Sequence, residues 1–317
     1  MSSGAGRPPT VTAGRYAPSP TGDLHLGNLR TALLAWLFAR TGGGRFLLRF
    51  EDLDSGRVRS GVAMRQRADL EALGLTFDAP VLVQSQRAAV YEAALAVLSG
   101  QTYPCFCTRR EIAAAASAPH GDPGRYPGTC RDLTGAEQAE RQRAGRFPAL
   151  RLRGDGAEVT VTDLLHGQVT GVVDDVVLRR PRTPQSDGGA AYQLAVVVDD
   201  GASGVDQVVR GDDLLASAPT QAWLATRLGL PVPTYVHVPL ALNAEGRRLA
   251  KRDGAVTLTD LAPLGWTPAR VLGLLATSLG MADPGEPVAA ADLLARFDPA
   301  RLPRQPWIVR PEQLTPR

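Results

Sequence analysis

The chain has 317 residues, 44% of them hydrophobic and 21% charged. That balance builds one large domain with a satellite or two modest domains, and excludes a wholly disordered or collagen-like polymer. A formal charge of +3 and a sequence pI near 8.9 permit a nucleic-acid partner without demanding one. No apolar run reaches the ~20 residues of a membrane span, and the opening MSSGAGRPPT lacks a signal-peptide core, so a cytoplasmic protein without membrane contact is expected.

Residues 12–16 lead as a first strand into the turn Ala17-Pro18-Ser19-Pro20-Thr21-Gly22 and then Asp23-Leu24-His25-Leu26-Gly27. Leu29, Ala32, Leu33, Trp36 and Leu37 recur at helical spacing, which predicts a helix over 28–40 buried along one face and ending before Gly42-Gly43-Gly44. The run from Phe46 to Glu51 reads as a buried strand parallel to the first, so the chain opens as a βαβ unit. Two helices follow over 60–73 and 86–98, the second capped by Ser85. Between 105 and 190 the pattern changes to a Cys, Gly and Pro patch (105–130), an Arg-rich helix (136–146) and short β-like runs (149–153, 158–162, 169–179). Leu194–Val198 reads as a strand, 213–228 as a helix, and 268–279 and 289–296 as helices of the C-terminal stretch. No internal repeat is visible.

Two features of composition point to chemistry. Lys251 is the only lysine among 35 basic residues, in a chain whose bias has made nearly every other cation an arginine. A position that stays lysine is a candidate for one that needs a compact ammonium instead of a planar fork. All three cysteines, Cys105, Cys107 and Cys130, fall in one short stretch. An odd, clustered set is a poor disulfide framework and a better metal site.

The turn ahead of the first helix is a phosphate-site candidate. A helix start offers free backbone N–H groups and the positive end of its dipole. Gly27 allows close backbone approach, and His25 can donate to phosphate oxygens as charge develops. A histidine at a helix start is more often a surface or capping residue, so the segment gains weight only from what surrounds it.

With RYAPSPTGDLHLGNLRTALLAW before it and FLLRFEDLD after it, the segment resembles the catalytic domain of class I glutamyl-tRNA synthetases, with HLGN in place of their HIGH signature. Arg248-Leu249-Ala250-Lys251-Arg252 resembles their KMSKS loop, although Arg248 replaces the first lysine and Ala250 the serine. The resemblance implies an α/β fold: a Rossmann-like parallel sheet with a zinc-bearing insertion and a small C-terminal helical appendage. It divides the chain into a first catalytic half (12–104), the insertion with its acceptor-binding-like region (105–190), a second catalytic half (191–247) and a KMSKS-like loop with a helical stem-contact-like region (248–317).

It further implies His25 and Lys251 as catalytic residues, and ATP contacts from His25, Gly27, Asn28 and Lys251, with Mg²⁺ as the ATP counter-ion. Glutamate contacts are implied for Arg15, Ala17, Ser19, Glu51, Tyr192 and Arg210. The chemistry suits them: Arg15 or Arg210 can bind a γ-carboxylate bidentately, Glu51 can face an α-ammonium, and glutamine would leave the guanidinium poorly matched. Without the resemblance, Arg210 reads equally well as a structural ion pair with Asp212 or Asp213.

For the cysteines, one more ligand closes a zinc tetrahedron. His120 is the better ligand on general chemistry, but Tyr126-Pro-Gly-Thr-Cys130 resembles the Cys-x-Cys…Tyr-x-x-x-Cys pattern of the glutamyl-Q tRNA(Asp) synthetase branch, which implies Tyr126 and a structural zinc ion. The stretch after Lys251 is too short for an appendage and an anticodon-gripping helical module together, so that module is expected to be absent. The shortened branch then implies ATP-dependent glutamate activation and transfer to queuosine in the anticodon of tRNA(Asp) by a monomer. A truncated synthetase charging tRNA(Glu) is the alternative. A small-molecule nucleotidyltransferase would not need Arg15, Glu51 and Arg210, and a non-catalytic RNA-binding relative would not need His25, Gly27 and Lys251. The basic residues Arg141, Arg143, Arg146, Arg151 and Arg153 carry no assignment, since such a run is usually a solvated face.

Overall fold

The computed structural model describes residues 11–116, 126–184, 186, 188–249 and 256–314. In chain order the elements are β1 (Ala13–Tyr16), α1 (Leu26–Thr41), β2 (Arg45–Phe50), α2 (Val62–Ala72), β3 (Leu82–Val83), α3 (Ala88–Val97), β4 (Thr102–Cys105) and α4 (Arg109–Ala116). They continue with α5 (Gly135–Arg143), β5 (Ala149–Leu152), β6 (Glu158–Asp163), β7 (Gly167–Val172), β8 (Val176–Arg179), α6 (Tyr192–Ala202), β9 (Gln207–Gly211) and α7 (Ala218–Arg227). The last are β10 (Thr234–Val238), β11 (Ala241–Leu242), α8 (Leu258–Leu261), α9 (Pro268–Thr277), α10 (Ala290–Arg296) and β12 (Trp307–Ile308). No helix among the described residues is long and apolar enough to cross a membrane.

The main sheet has the order β3-β2-β1-β9-β10-β6-β7 and is parallel from β3 through β6, with β7 closing it as an antiparallel edge. From β1 the chain proceeds to β2 on one side and returns through β9 on the other. The crevice above the carboxyl ends of β1 and β9 is therefore a topological switch point, where α/β sheets bind ligands. Strands β4, β5 and β8 form a separate antiparallel sheet. The 105–190 stretch thus contributes to both sheets, since its β6–β7 hairpin extends the main one.

The helix expected along 28–40 is buried on nearly every side instead of one. The sheet covers its inner face, and the C-terminal helices cover its outer face in the same hydrophobic core, with Phe38 and Phe297 edge to face at 4.9 Å. Gly14 lets α1 lie close on β1, since a Cβ there would stand 2.9 Å from the Ala39 Cβ.

Three local expectations are overturned. Leu194–Val198, read as a strand, lies within helix α6. Leu194, Ala195, Val196, Val197 and Val198 are all buried, and a short continuous apolar run on a helix enclosed all round has no periodicity to separate it from a buried strand. The strand of this unit is β9, a few residues later. Ser85 does not cap α3; Arg87 stands at that position, and the Ser85 N–H and hydroxyl both donate to Asp52 at 2.8 and 2.6 Å. The helix expected over 213–228 divides into a 3-10 turn (Asp212–Ser217) and α7, with a proline in the first turn of α7, where its missing N–H costs nothing.

Candidate active site and cysteine cluster

His25 is the N-cap of α1. Its Nδ1 accepts the Asn28 N–H at 3.2 Å, and the Asn28 side-chain oxygen accepts the His25 N–H at 3.2 Å, a reciprocal capping box. With Nδ1 acting as acceptor, the neutral ring carries its proton on Nε2. The capping reading and the phosphate-site reading are therefore compatible in one residue, because one nitrogen fixes the ring and the other is a donor. The Asn28 side chain, by contrast, is engaged in the cap. Gly27 fits this arrangement closely: a Cβ would sit 3.0 Å from the His25 ring and 3.1 Å from the Ala241 Cβ, so those neighbours would have to give. The preceding turn is held by Gln66 of α2, whose amide donates to the Ser19 and Gly22 carbonyls at 3.1 and 2.7 Å.

The described flanks of the KMSKS-like segment are anchored on both sides. On one side Leu242 bridges Arg248, and Arg248 ion-pairs with Asp213. On the other, the Val256 carbonyl accepts the Leu26 N–H at 2.8 Å and Thr257 bridges His25. Ala250, Lys251 and Arg252 lie outside the described residues, as does His120.

Arg15, on β1, and Arg210, on β9, are buried at 4% and 6% exposure. Asp200, at the end of α6, receives Arg15 Nε at 3.1 Å and Arg49 Nη1 at 2.6 Å, and Arg49 Nη2 reaches Glu51 at 3.1 Å. Burial pushes the Glu51 carboxyl above its ordinary range against the pull of Arg49 and Arg15. Asp200 behaves oppositely: burial opposes its charge, but the two arginines hold it below the usual carboxylate range. Arg210 makes neither of the ion pairs offered for it, to Asp212 or Asp213; it donates to His237 and Gln221. Tyr192, at the first turn of α6, has its hydroxyl raised by burial and by Glu51, while Arg210 and Arg15 oppose the rise, which places all four groups in one electrostatic neighbourhood.

A cleft of about 1080 Å³ extends from Ser19, Glu51, Tyr192 and Gln193 to Cys105, Phe106 and Cys107. Arg15 and Arg210 do not line it; Ala17 is half-buried on the turn that follows β1. Four residues of this neighbourhood escaped the sequence reading: Arg49, Asp200, Asp163 and His237. Arg49 lies in the FLLRFEDLD segment that carries the resemblance, but only the fold shows that it touches Asp200.

The cysteine sulfurs lie within 4.8 Å of one another. The Tyr126 hydroxyl is 3.3 Å from Cys105 Sγ and 3.7 Å from Cys107 Sγ, and Cys107 Sγ is 3.5 Å from Cys130 Sγ. Ligands around a tetrahedral ion with ~2.3 Å metal–sulfur bonds stand about 3.8 Å apart, so the donor set suits one metal ion. The Arg151 guanidinium covers the Tyr126 ring at 4.0 Å. Of the neighbouring cations, Arg146 pairs with Glu111 at 2.5 Å and Arg153 with Asp132 at 3.0 Å, while Arg141 reaches Cys130 Sγ at 3.9 Å.

Residues 11–316 match the family of class I tRNA synthetases (E and Q), catalytic domain. The chain belongs to this family. It is 64% identical over 304 residues to the glutamyl-Q tRNA(Asp) synthetase of Nocardia farcinica, covering 95% of this chain and 94% of that protein. It is 48% identical over 312 residues to the glutamyl-Q tRNA(Asp) synthetase of Symbiobacterium thermophilum, covering 93% and 95%. Among solved structures, the glutamate-tRNA synthetase of Elizabethkingia anophelis superposes with a TM-score of 0.79 at 26% identity, over 96% of this chain and 69% of that one. The α/β reading and the ligase class of this synthetase-family chain therefore stand.

Proposed function

We propose that this chain activates glutamate with ATP and transfers it to queuosine in the anticodon of tRNA(Asp). The observation that carries this reading is the 64% identity to the Nocardia farcinica glutamyl-Q tRNA(Asp) synthetase over 95% of the chain. In the first step an oxygen of the glutamate α-carboxylate attacks the α-phosphorus of ATP, the α–β bridging bond breaks, and pyrophosphate leaves with its electron pair. In the second, a hydroxyl of the queuosine cyclopentenediol attacks the acyl carbon, loses its proton, and expels AMP to leave an ester. Neither step needs a nucleophilic side chain, so alignment and charge stabilisation supply the acceleration.

In this reading the Nε2–H of His25 and the ammonium of Lys251 meet the phosphate charge, and Gly27 and Asn28 at the start of α1 contact the nucleotide. Mg²⁺ accompanies the ATP as its counter-ion. Arg15 and Arg210 face the substrate carboxylates, Glu51 the α-ammonium, and Ala17, Ser19 and Tyr192 complete the pocket. Cys105, Cys107, Cys130 and Tyr126 hold zinc, whose contribution when bound is to cross-link the patch that walls one end of the cleft. The reading includes action as a monomer and a cytoplasmic location, where ATP and tRNA are both at hand.

The deciding experiment offers radiolabelled glutamate and ATP with queuosine-containing tRNA(Asp), queuosine-free tRNA(Asp) and tRNA(Glu). Label on the first alone is expected; label on tRNA(Glu) overturns the assignment.

A further inference from the structure

Arg15 and Arg210 stand in one neighbourhood but are partnered differently. Arg15 donates to the Asp200 carboxylate at 3.1 Å, so its charge is already answered. Among the described residues no carboxylate lies within ion-pairing distance of Arg210. Its Nε donates to His237 Nε2 at 2.9 Å, its Nη1 to the Gln221 side-chain oxygen at 2.7 Å, and its Nη2 to the Leu214 carbonyl at 3.4 Å. Gln221 in turn donates to Gln193 at 2.8 Å, and Gln193 lines the cleft.

The imidazole between Arg210 and the next group has one permitted tautomer. His237 Nδ1 stands 2.7 Å from Asp163 Oδ2, and both side chains are fully buried. A carboxylate only accepts and a guanidinium only donates, so the His237 proton sits on Nδ1 and its lone pair on Nε2. Asp163 is fixed by backbone as well: Oδ2 takes the His237 N–H at 2.9 Å, and Oδ1 takes those of Leu165 and His166 at 2.8 and 3.0 Å. The sheet register writes the whole line, since Arg210 pairs with His237 across β9–β10 and Tyr235 with Asp163 across β10–β6. Tyr235 stacks on the His237 ring at 5.9 Å, and the His166 ring reaches the His237 carbonyl at 3.0 Å. Burial pulls the His237 pKa down, with Arg210 adding to the fall and Asp163 opposing it, so the ring is neutral.

We propose that Asp163 and His237 are positioning residues that aim Arg210 at a substrate carboxylate without cancelling its charge, and so favour an acid over its amide. A neutral imidazole fixes the direction of one N–H and leaves the cation whole. A carboxylate in its place would aim the guanidinium equally well but neutralise it, and a neutralised arginine discriminates poorly between acid and amide. This assignment rests on the proposed glutamate activity.

The test is glutamate-dependent ATP–pyrophosphate exchange with the full chain. Exchange by the wild-type protein checks the activity itself, separately from the relay. His237→Gln keeps an acceptor near the Nε2 position, whereas His237→Asn keeps only a donor near Nδ1. The expected result is a KM for glutamate raised about tenfold in His237→Asn and less than about threefold in His237→Gln, with the KM for ATP unchanged in both. Equal effects of the two variants, or parallel rises in both KM values, overturn the proposal. Should His237→Asn fail to fold, Asp163→Asn replaces it: the amide donates to Nδ1, moves the ring proton to Nε2 and sets it against the Arg210 Nε–H. The same rise in glutamate KM is expected there, and an unchanged value overturns the relay.

Discussion

Asp200→Asn separates the buried charge network from the rest of the fold. The wild-type carboxylate answers two buried guanidinium groups, with Arg15 at 3.1 Å and Arg49 at 2.6 Å, and the side chains of all three are less than a tenth exposed. Two positive groups, Asp200 and Glu51 make a neutral set. The amide has nearly the same shape but leaves the set with one uncompensated positive charge. Arg49 is already short of partners, its Nε being buried without an acceptor. Removing one member of a buried ion pair costs about 3–5 kcal/mol, and the retained carbonyl oxygen places this variant near the lower figure. For a chain of 317 residues, at about 2.1 cal/mol/K of unfolding entropy per residue, that lowers the thermal midpoint by roughly 4–5 °C at neutral pH.

The pH dependence has a definite sign. The Asp200 pKa is depressed in the folded protein, so its contribution is whole above the unfolded value of ~3.9 and is lost as pH falls through the folded one. The gap between wild type and variant in calorimetric scans is therefore full at neutral pH and narrows only below about pH 4. Arg15 also loses its anchor, so the KM for glutamate rises in pyrophosphate exchange. Midpoints that coincide within error at neutral pH would refute the assignment of this network as a stability element.

Three further outcomes are expected. Cys130→Ser loses stoichiometric zinc by elemental analysis and lowers the thermal midpoint; full zinc retention would remove the cluster from consideration as a metal site. Gly27→Ala forces a Cβ to within 3.0 Å of the His25 ring, and overpacking of this kind costs about 1–3 kcal/mol, which appears as a lowered midpoint and a raised KM for ATP; unaltered kinetics would place the helix start away from the nucleotide. Lys251→Arg keeps the charge but replaces a compact ammonium with a planar fork, and pyrophosphate exchange is expected to fall by about 10²-fold with the midpoint unchanged; undiminished exchange would detach the lone lysine from the phosphate site.

Much of the fold is legible in linear sequence because the signals are local. The α1 helix declares itself through apolar spacing, and the turn before it through Pro and Gly. The cysteine patch is legible because three thiols stand close together in the chain, with Tyr126 four residues before Cys130. Helix α6 is illegible as a helix for an equally local reason: it is enclosed on all sides, so Leu194–Val198 carries no polar face to reveal its period. The networks around Arg15 and Arg210 were illegible for a different reason. Asp200 meets Arg15 across 185 positions of sequence, and His237 meets Asp163 across 74.

By itself the linear order of residues determined the opening βαβ unit, the His25 turn, the cysteine set and the candidate guanidinium groups, since each depends on neighbours a few residues apart. Tertiary structure alone decided how the guanidinium charges are answered. Arg15 faces a carboxylate because the end of helix α6 brings Asp200 against it, and Arg210 faces an imidazole because parallel strand register sets His237 beside it across β9–β10. Whether a buried arginine is neutralised or left as a cation is a property of those long-range neighbours, and no periodicity along the chain encodes it.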